Sequence, residues 1–133
     1  MKNMLIILAL PILVGACEPK LSVVIKAIEQ VESGGDCNAI GDNGLAVGCL
    51  QIHPIMVKDV NRILGHPKYA MKDRYNREKS YNMCKTYLTH YCTTKRLKHK
   101  PTAQDYSRCW NGGPNGFKKT STLKYWAKVK ALL

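Results

Sequence analysis

The sequence predicts a mainly α fold, a single small helical domain with at most one short β-hairpin. Two patterns carry this expectation, and the chain length limits it. Apolar residues recur at helical spacing in several stretches, and glycine or proline stands at the ends of those stretches. Only the segment from Asp36 to Ile52 breaks the pattern, being rich in Gly and Asn. A chain of 133 residues suits one domain and leaves no room for two.

Leu21, Val24, Ile25, Ile28 and Val31 form the first helical stripe, and Gly34-Gly35 ends it. The Gly- and Asn-rich segment turns briefly apolar at Leu45-Ala46-Val47, which suggests a loop or small hairpin. Pro54 sits where a first helical turn tolerates proline. Met56, Val60, Ile63 and Leu64 continue that second helix until Gly65-His66-Pro67 stops it. A third helix is expected from about Tyr75 to Tyr91, turning Tyr81, Cys84, Tyr87, Leu88 and Tyr91 inward. Thr102 and Asp105 have the spacing of a capping box and open a short fourth helix reaching Trp110. After the loop from Asn111 to Gly116, Thr120 to Thr122 can cap a last helix with Leu123, Trp126 and Val129. No internal repeat or low-complexity tract is visible.

Residues 1–17 differ from the rest. Lys2 precedes an apolar run of 13 residues, Met4 to Ala16, interrupted only by Pro11 and Gly15. A spanning helix needs about 20 apolar residues, so the run reads as a signal peptide, with residues 18–133 as the working domain. The expected location is therefore outside the cytoplasm: periplasm, cell envelope or medium. Val14-Gly15-Ala16-Cys17 also resembles the bacterial lipoprotein signal, which implies membrane attachment through a lipidated Cys17. Ordinary cleavage near the same place is the alternative.

The chain carries a formal charge of +12, and Lys2 is the only charged residue of the leader. Such a charge favours polyanions: nucleic acid, anionic lipid or walls bearing anionic polymers. Export and the lack of a recognition motif argue against nucleic acid. The one dense basic cluster, Lys95 to Lys100, reads as a solvated loop.

Beyond Cys17 there are five cysteines, so at most two bridges form among them. Cys37 and Cys49 flank the Gly-rich loop and are a natural pair, worth about 3 kcal/mol if bridged. Cys84 and Cys92 on one helix would lie about 12 Å apart, too far to bond. One of them is expected to pair with Cys109; the spacing does not say which. No Cys-x-x-Cys or tight Cys/His set appears, so neither a metal site nor a cofactor is expected.

Of the carboxylates, Glu32 lies one turn beyond Ile28 and two beyond Ile25, inside the apolar stripe. Glu29 is expected at the stripe's edge, where solvent reaches it. Apolar surroundings raise a carboxyl pKa, as a general acid working near neutral pH requires.

Glu32-Ser33-Gly34-Gly35, followed 19 residues after Glu32 by Gln51-Ile52 within Gly48-Cys49-Leu50-Gln51-Ile52, resembles the opening motif of the lysozyme-like superfamily. That superfamily includes soluble lytic transglycosylases and invertebrate-type (destabilase) lysozymes. A second match is Trp110-Asn111-Gly112-Gly113-Pro114-Asn115-Gly116, trailed by Tyr125-Trp126. It is similar to the Asn-Gly-Gly-Pro-x-Gly segment of invertebrate-type lysozymes and to the Tyr-Asn-x-Gly segment of the transglycosylases. The likeness runs from about Val24 to Val129, and implies an α+β lysozyme-like fold with the hairpin beside an active-site cleft.

The resemblance implies a muramidase of lysozyme type, acting as a monomer on bacterial peptidoglycan at the β-1,4 bond from N-acetylmuramic acid to N-acetylglucosamine. Glu32 would protonate the bridging oxygen as positive charge develops on the sugar. Ser33 and Gln51 would orient sugar or carboxyl, and Asn111 would bind an acetamido group or backbone. Gly112 and Gly113 would allow close approach of the glycan, and Tyr125 and Trp126 would offer ring faces, although Trp126 also fits the apolar stripe. Asp42, in Ile40-Gly41-Asp42-Asn43-Gly44, stands about where the lysozymes place a second catalytic carboxylate, though in a shorter loop. An Asx-turn role suits Asp42 equally. Transglycosylases lack that carboxylate and yield 1,6-anhydro products, which is the alternative activity. A non-catalytic cationic protein binding walls or membranes is the remaining alternative.

Overall fold

The computed structural model describes Gly15 and residues 17–133. The expected signal peptide thus lies outside the described residues, apart from Gly15 and Cys17. The described chain is mainly helical with one two-stranded sheet, and its elements come in the expected order.

Helix α1 spans Leu21–Ser33 and buries Val24, Ile25, Ala27 and Ile28. Gly34 ends it in the left-handed region (φ 64°), its N–H donating to the Gln30 carbonyl. The Gly-rich segment is a small hairpin. Strand β1 (Ile40–Gly41) pairs antiparallel with β2 (Ala46–Val47), Ile40 opposite Val47. The turn between them places Asp42 and Asn43 at φ 49° and 52°, a region that Asp and Asn enter more readily than other side chains.

Gly48 follows at φ 84°, and a Cβ there would stand 1.9 Å from the Arg74 carbonyl oxygen. Only glycine fits between these two backbones. Arg74 is itself buried, and its Nη1 donates to the carbonyls of Leu45 and Ile52, each at 3.0 Å. One guanidinium therefore holds both flanks of β2.

Helix α2 (Pro54–Leu64) opens on Pro54, closes on left-handed Gly65 and buries Val57 and Val60. Helix α3 covers Arg77–Tyr91, two residues shorter at its start than the expected Tyr75. Asn76 sets that boundary, accepting a hydrogen bond from the Lys79 N–H, while Met71–Tyr75 forms a separate 3-10 turn. The basic cluster departs from a solvated loop. Thr94–Leu97 is a one-turn helix, α4, capped by Thr93, and Arg96 turns inward to the carbonyls of Tyr91 and Pro114. Lys95, Lys98 and Lys100 stay exposed.

Helix α5 (Ala103–Gly112) begins with the expected capping box of Thr102 and Asp105. Helix α6 (Leu123–Lys130) returns across α1 and α5, burying Val129. Leu123 at its start is 45% exposed, and one expectation fails: Thr122 precedes the helix but does not cap it with its side chain. The Thr122 hydroxyl turns away, 2.8 Å from the Gly116 carbonyl oxygen. The core gathers Ile28, Leu50, Ile52, Met83, Leu88 and Val129, each fully buried, from α1, the hairpin exit, α3 and α6. Among the described residues, no helix is long and apolar enough to cross a membrane.

Candidate active site

Glu32 occupies the last turn of α1 and faces a cleft of about 780 Å³. One wall is the hairpin and its exit, with Asp42, Ala46, Gln51 and His53. The other walls are the start of α2 (Ile55, Met56, Asp59), Tyr87 and Tyr91 of α3, and the segment from Trp110 to Pro114.

Burial raises the Glu32 carboxyl above its usual range, and three neighbours partly oppose it. They are a hydrogen bond from Tyr125, one from Trp110 and the charge of Lys128. The Tyr125 hydroxyl donates to Glu32 Oε1 at 2.7 Å. Burial and the nearby carboxylate push the Tyr125 pKa far up, so the phenol remains a donor. Such surroundings keep a carboxyl protonated to higher pH and still offer donors to its anion.

Glu29 corrects the expectation from sequence. It is 3% exposed, not solvated at a stripe's edge. Arg77 and Tyr81 of α3 cover it: Arg77 Nε lies 3.1 Å from Glu29 Oε1, and the Tyr81 hydroxyl donates to Oε2. Glu29 has a guanidinium beside it, whereas Glu32 meets mainly neutral donors in its immediate surroundings. Two glutamates one turn apart thus have opposite environments.

The other expected residues separate into lining and supporting groups. Gln51, Asn111 and Gly113 line the cleft with Glu32 and Asp42. The Gln51 amide donates to the carbonyls of Ala39 and Gly48, so it also braces the hairpin. Ser33, Gly112 and Tyr125 are not among the lining residues. Ser33 Oγ donates to the Cys49 carbonyl at 2.8 Å, joining the end of α1 to the hairpin exit. Gly112 packs on Thr122, whose methyl would lie 2.5 Å from an added Cβ. Tyr125 stands behind Glu32, touching it through the hydroxyl. Trp126 is partly buried against the core.

Asp42 is exposed and sits 3.3 Å from His53 Nε2. A third carboxylate, Asp59, also reaches the cleft, and sequence reasoning missed it. Its oxygens pair with Arg62 at 2.7 Å and accept from the Tyr91 hydroxyl at 2.6 Å. His53, Tyr87 and Tyr91 were likewise missed as cleft residues. The one signal available was that Tyr87 and Tyr91 share a helix face, which marks an inward side without separating core from cleft.

The chain has no match among curated proteins. Residues 18–132 match the family model described as the transglycosylase SLT domain, spanning the helix that ends at Glu32, the hairpin and the closing helix behind it. The chain belongs to the SLT transglycosylase-domain family, and is thereby a peptidoglycan-cleaving enzyme of the lytic transglycosylase and lysozyme-like class.

Proposed function

We propose that the enzyme is a lytic transglycosylase in which Glu32 is the sole catalytic carboxylate. One observation carries this reading. Three carboxylates line the cleft, and two of them are already engaged by basic side chains, Asp42 by His53 and Asp59 by Arg62. Glu32 is half-buried, and that burial makes it keep its proton to higher pH, while hydrogen bonds from Tyr125 and Trp110 partly oppose the shift. It gives that proton to the oxygen bridging N-acetylmuramic acid and N-acetylglucosamine as the bond breaks. The Glu32 carboxylate, now stabilised by Tyr125, takes the proton of the muramic 6-hydroxyl. That oxygen closes on the anomeric carbon and yields a 1,6-anhydro end.

The second reading is hydrolysis of lysozyme type, and it is favoured by the presence of Asp42 in the same cleft as Glu32. There a water replaces the 6-hydroxyl, and Asp42 acts as nucleophile, base or electrostatic partner. Mass spectrometry of fragments from purified peptidoglycan separates the two. Anhydro ends, with Asp42→Asn near wild type, are expected. Reducing muramic ends, with a loss of about tenfold or more in Asp42→Asn, would overturn the transglycosylase reading.

Export and anchoring belong to the same proposal. Cys17 is exposed, and the next residue is tied down, Glu18 Oε2 accepting from the Ala103 N–H at 3.1 Å. Lipid at Cys17 would hold the domain on a membrane facing the wall. In a bacterial host, Cys17→Ser is then expected to abolish lipid labelling. A mature wild-type product that lacks Cys17 and starts with a free amine would exclude lipidation.

A further inference from the structure

The structure holds its cysteines as thiols, yet four of them are placed in two close pairs. The Cys37 and Cys49 sulfurs lie within 4.8 Å of each other. Cys92, at the end of α3, donates through its sulfur to the Asp105 carbonyl at 3.8 Å, one turn before Cys109 on the same helix, α5. Cys84 is fully buried in α3, two turns away from Cys92.

We infer that the exported enzyme carries two disulfides, Cys37–Cys49 and Cys92–Cys109, with Cys84 left as a buried thiol, and that the first bridge locks the end of the catalytic helix to the hairpin exit. The bridges form the covalent frame of the cleft and are the same whichever product the enzyme makes.

The first pair closes a join that the backbone has already built. Ser33 Oγ donates to the Cys49 carbonyl, and the Gly48 N–H donates to the Ala39 carbonyl at 2.9 Å. Cys37 therefore lies just past Glu32, and Cys49 just before Gln51. A bond between them encloses the whole hairpin, Asp42 included, in one covalent loop. The second pair ties the end of α3 to α5, next to Trp110.

Exchange with a small-molecule disulfide such as oxidised glutathione supplies the oxidation. Cys37 is half-exposed and Cys49 buried, so the Cys37 sulfur meets the oxidant first, reacting as the thiolate as any such exchange requires. That thiolate attacks the oxidant, forming a mixed disulfide and releasing one small thiol. Cys49 then loses its proton and attacks the Cys37 sulfur, forming the protein bridge and releasing the second thiol. Two electrons pass from the protein to the oxidant. Cys92 and Cys109 are both buried, so their bridge forms by the same exchange before the core closes.

Glu29 completes a group with Cys37 and Cys49 that has the composition of a soft-metal site. The Arg77 guanidinium stands against Glu29, and a cation already in that place opposes a second one. An oxidising compartment also consumes the thiolates that such a metal would need.

The test uses the full chain exported to an oxidising compartment, denatured without reductant, alkylated and digested with trypsin. The peptide 86–95 is expected linked to 109–118, and 27–58 unalkylated and lighter by two hydrogens. Alkylated 80–85 is expected to carry Cys84. Linkage of 80–85 to 109–118, alkylation of both cysteines in 27–58, or one zinc bound per chain with those thiols free would each overturn the assignment. For the lock itself, the temperature at which wall-digesting activity is lost is measured with and without reductant. Reductant should lower it in the parent, and less in Cys37→Ala/Cys49→Ala. An equal fall in both proteins would confine the effect to the Cys92–Cys109 bridge and overturn the lock.

Discussion

Glu32 and Glu29 share one helix but not one chemistry, because different partners reach them. Glu32 is desolvated, so its proton is held to higher pH, and the bonds from Tyr125 and Trp110 only partly offset this. Glu32→Gln is expected to lose at least about a thousandfold in wall digestion, since general acid catalysis contributes about 10²–10⁴-fold. Turbidity clearance by a folded variant matching the parent would favour a non-catalytic cationic protein. Activity requires the protonated acid, so kcat/KM should fall as pH rises through the raised Glu32 pKa. A carboxyl raised on folding contributes stability that is present below its unfolded pKa and lost as pH rises through the folded one. Glu32→Gln should therefore melt like the parent in acid and above it in alkali. Tyr125→Phe removes a bond that lowers the Glu32 pKa. The alkaline limb should move to higher pH, with the maximal rate down on the order of tenfold or more. An unmoved limb would make Tyr125 a packing residue only.

The hairpin shows how few interactions hold a small element in register. Two strands of two residues each are not stable alone, and burial of Ala46 and Val47 is a modest anchor. Arg74 supplies the rest, its guanidinium meeting the carbonyls of Leu45, Ile52 and Met71. Arg74→Ala removes the guanidinium from these carbonyls, of which Ile52 keeps the Val47 N–H at 3.3 Å, and is expected to lower unfolding stability by about 3 kcal/mol or more. Urea titration reads this directly, and a loss below about 0.5 kcal/mol would place Arg74 among neutral surface substitutions. The inferred Cys37–Cys49 bridge would act on the same element and add about 3 kcal/mol by closing its loop.

For the whole molecule, the dominant feature is charge. At +12 for the chain, capture of an anionic wall is electrostatic and long-ranged at low salt. The screening length falls from about 10 Å at 0.1 M to about 3 Å at 1 M, so sedimentation with insoluble wall should weaken steeply over that range. Turnover of short soluble fragments should change much less, because the proposed acid, Glu32, is partly desolvated in the cleft. Equal salt sensitivity of both would place the charge effect in the site itself.

Periodicity and end signals in the sequence determined where the helices lie: the stripe through Ile28, Pro54 and Gly65 around α2, and the capping box opening α5. These are local features, set by neighbours within one or two turns, and so can be read without a fold. The Glu32 motif was legible for the same reason. Tertiary structure alone decided which α1 glutamate is shielded, and that Asp59 and Tyr91 form a wall of the cleft. The Tyr81 hydroxyl reaches Glu29 across 52 positions of chain, and the Tyr125 hydroxyl reaches Glu32 across 93. No local period encodes such meetings, because they arise only when packing of the apolar faces brings distant helices together.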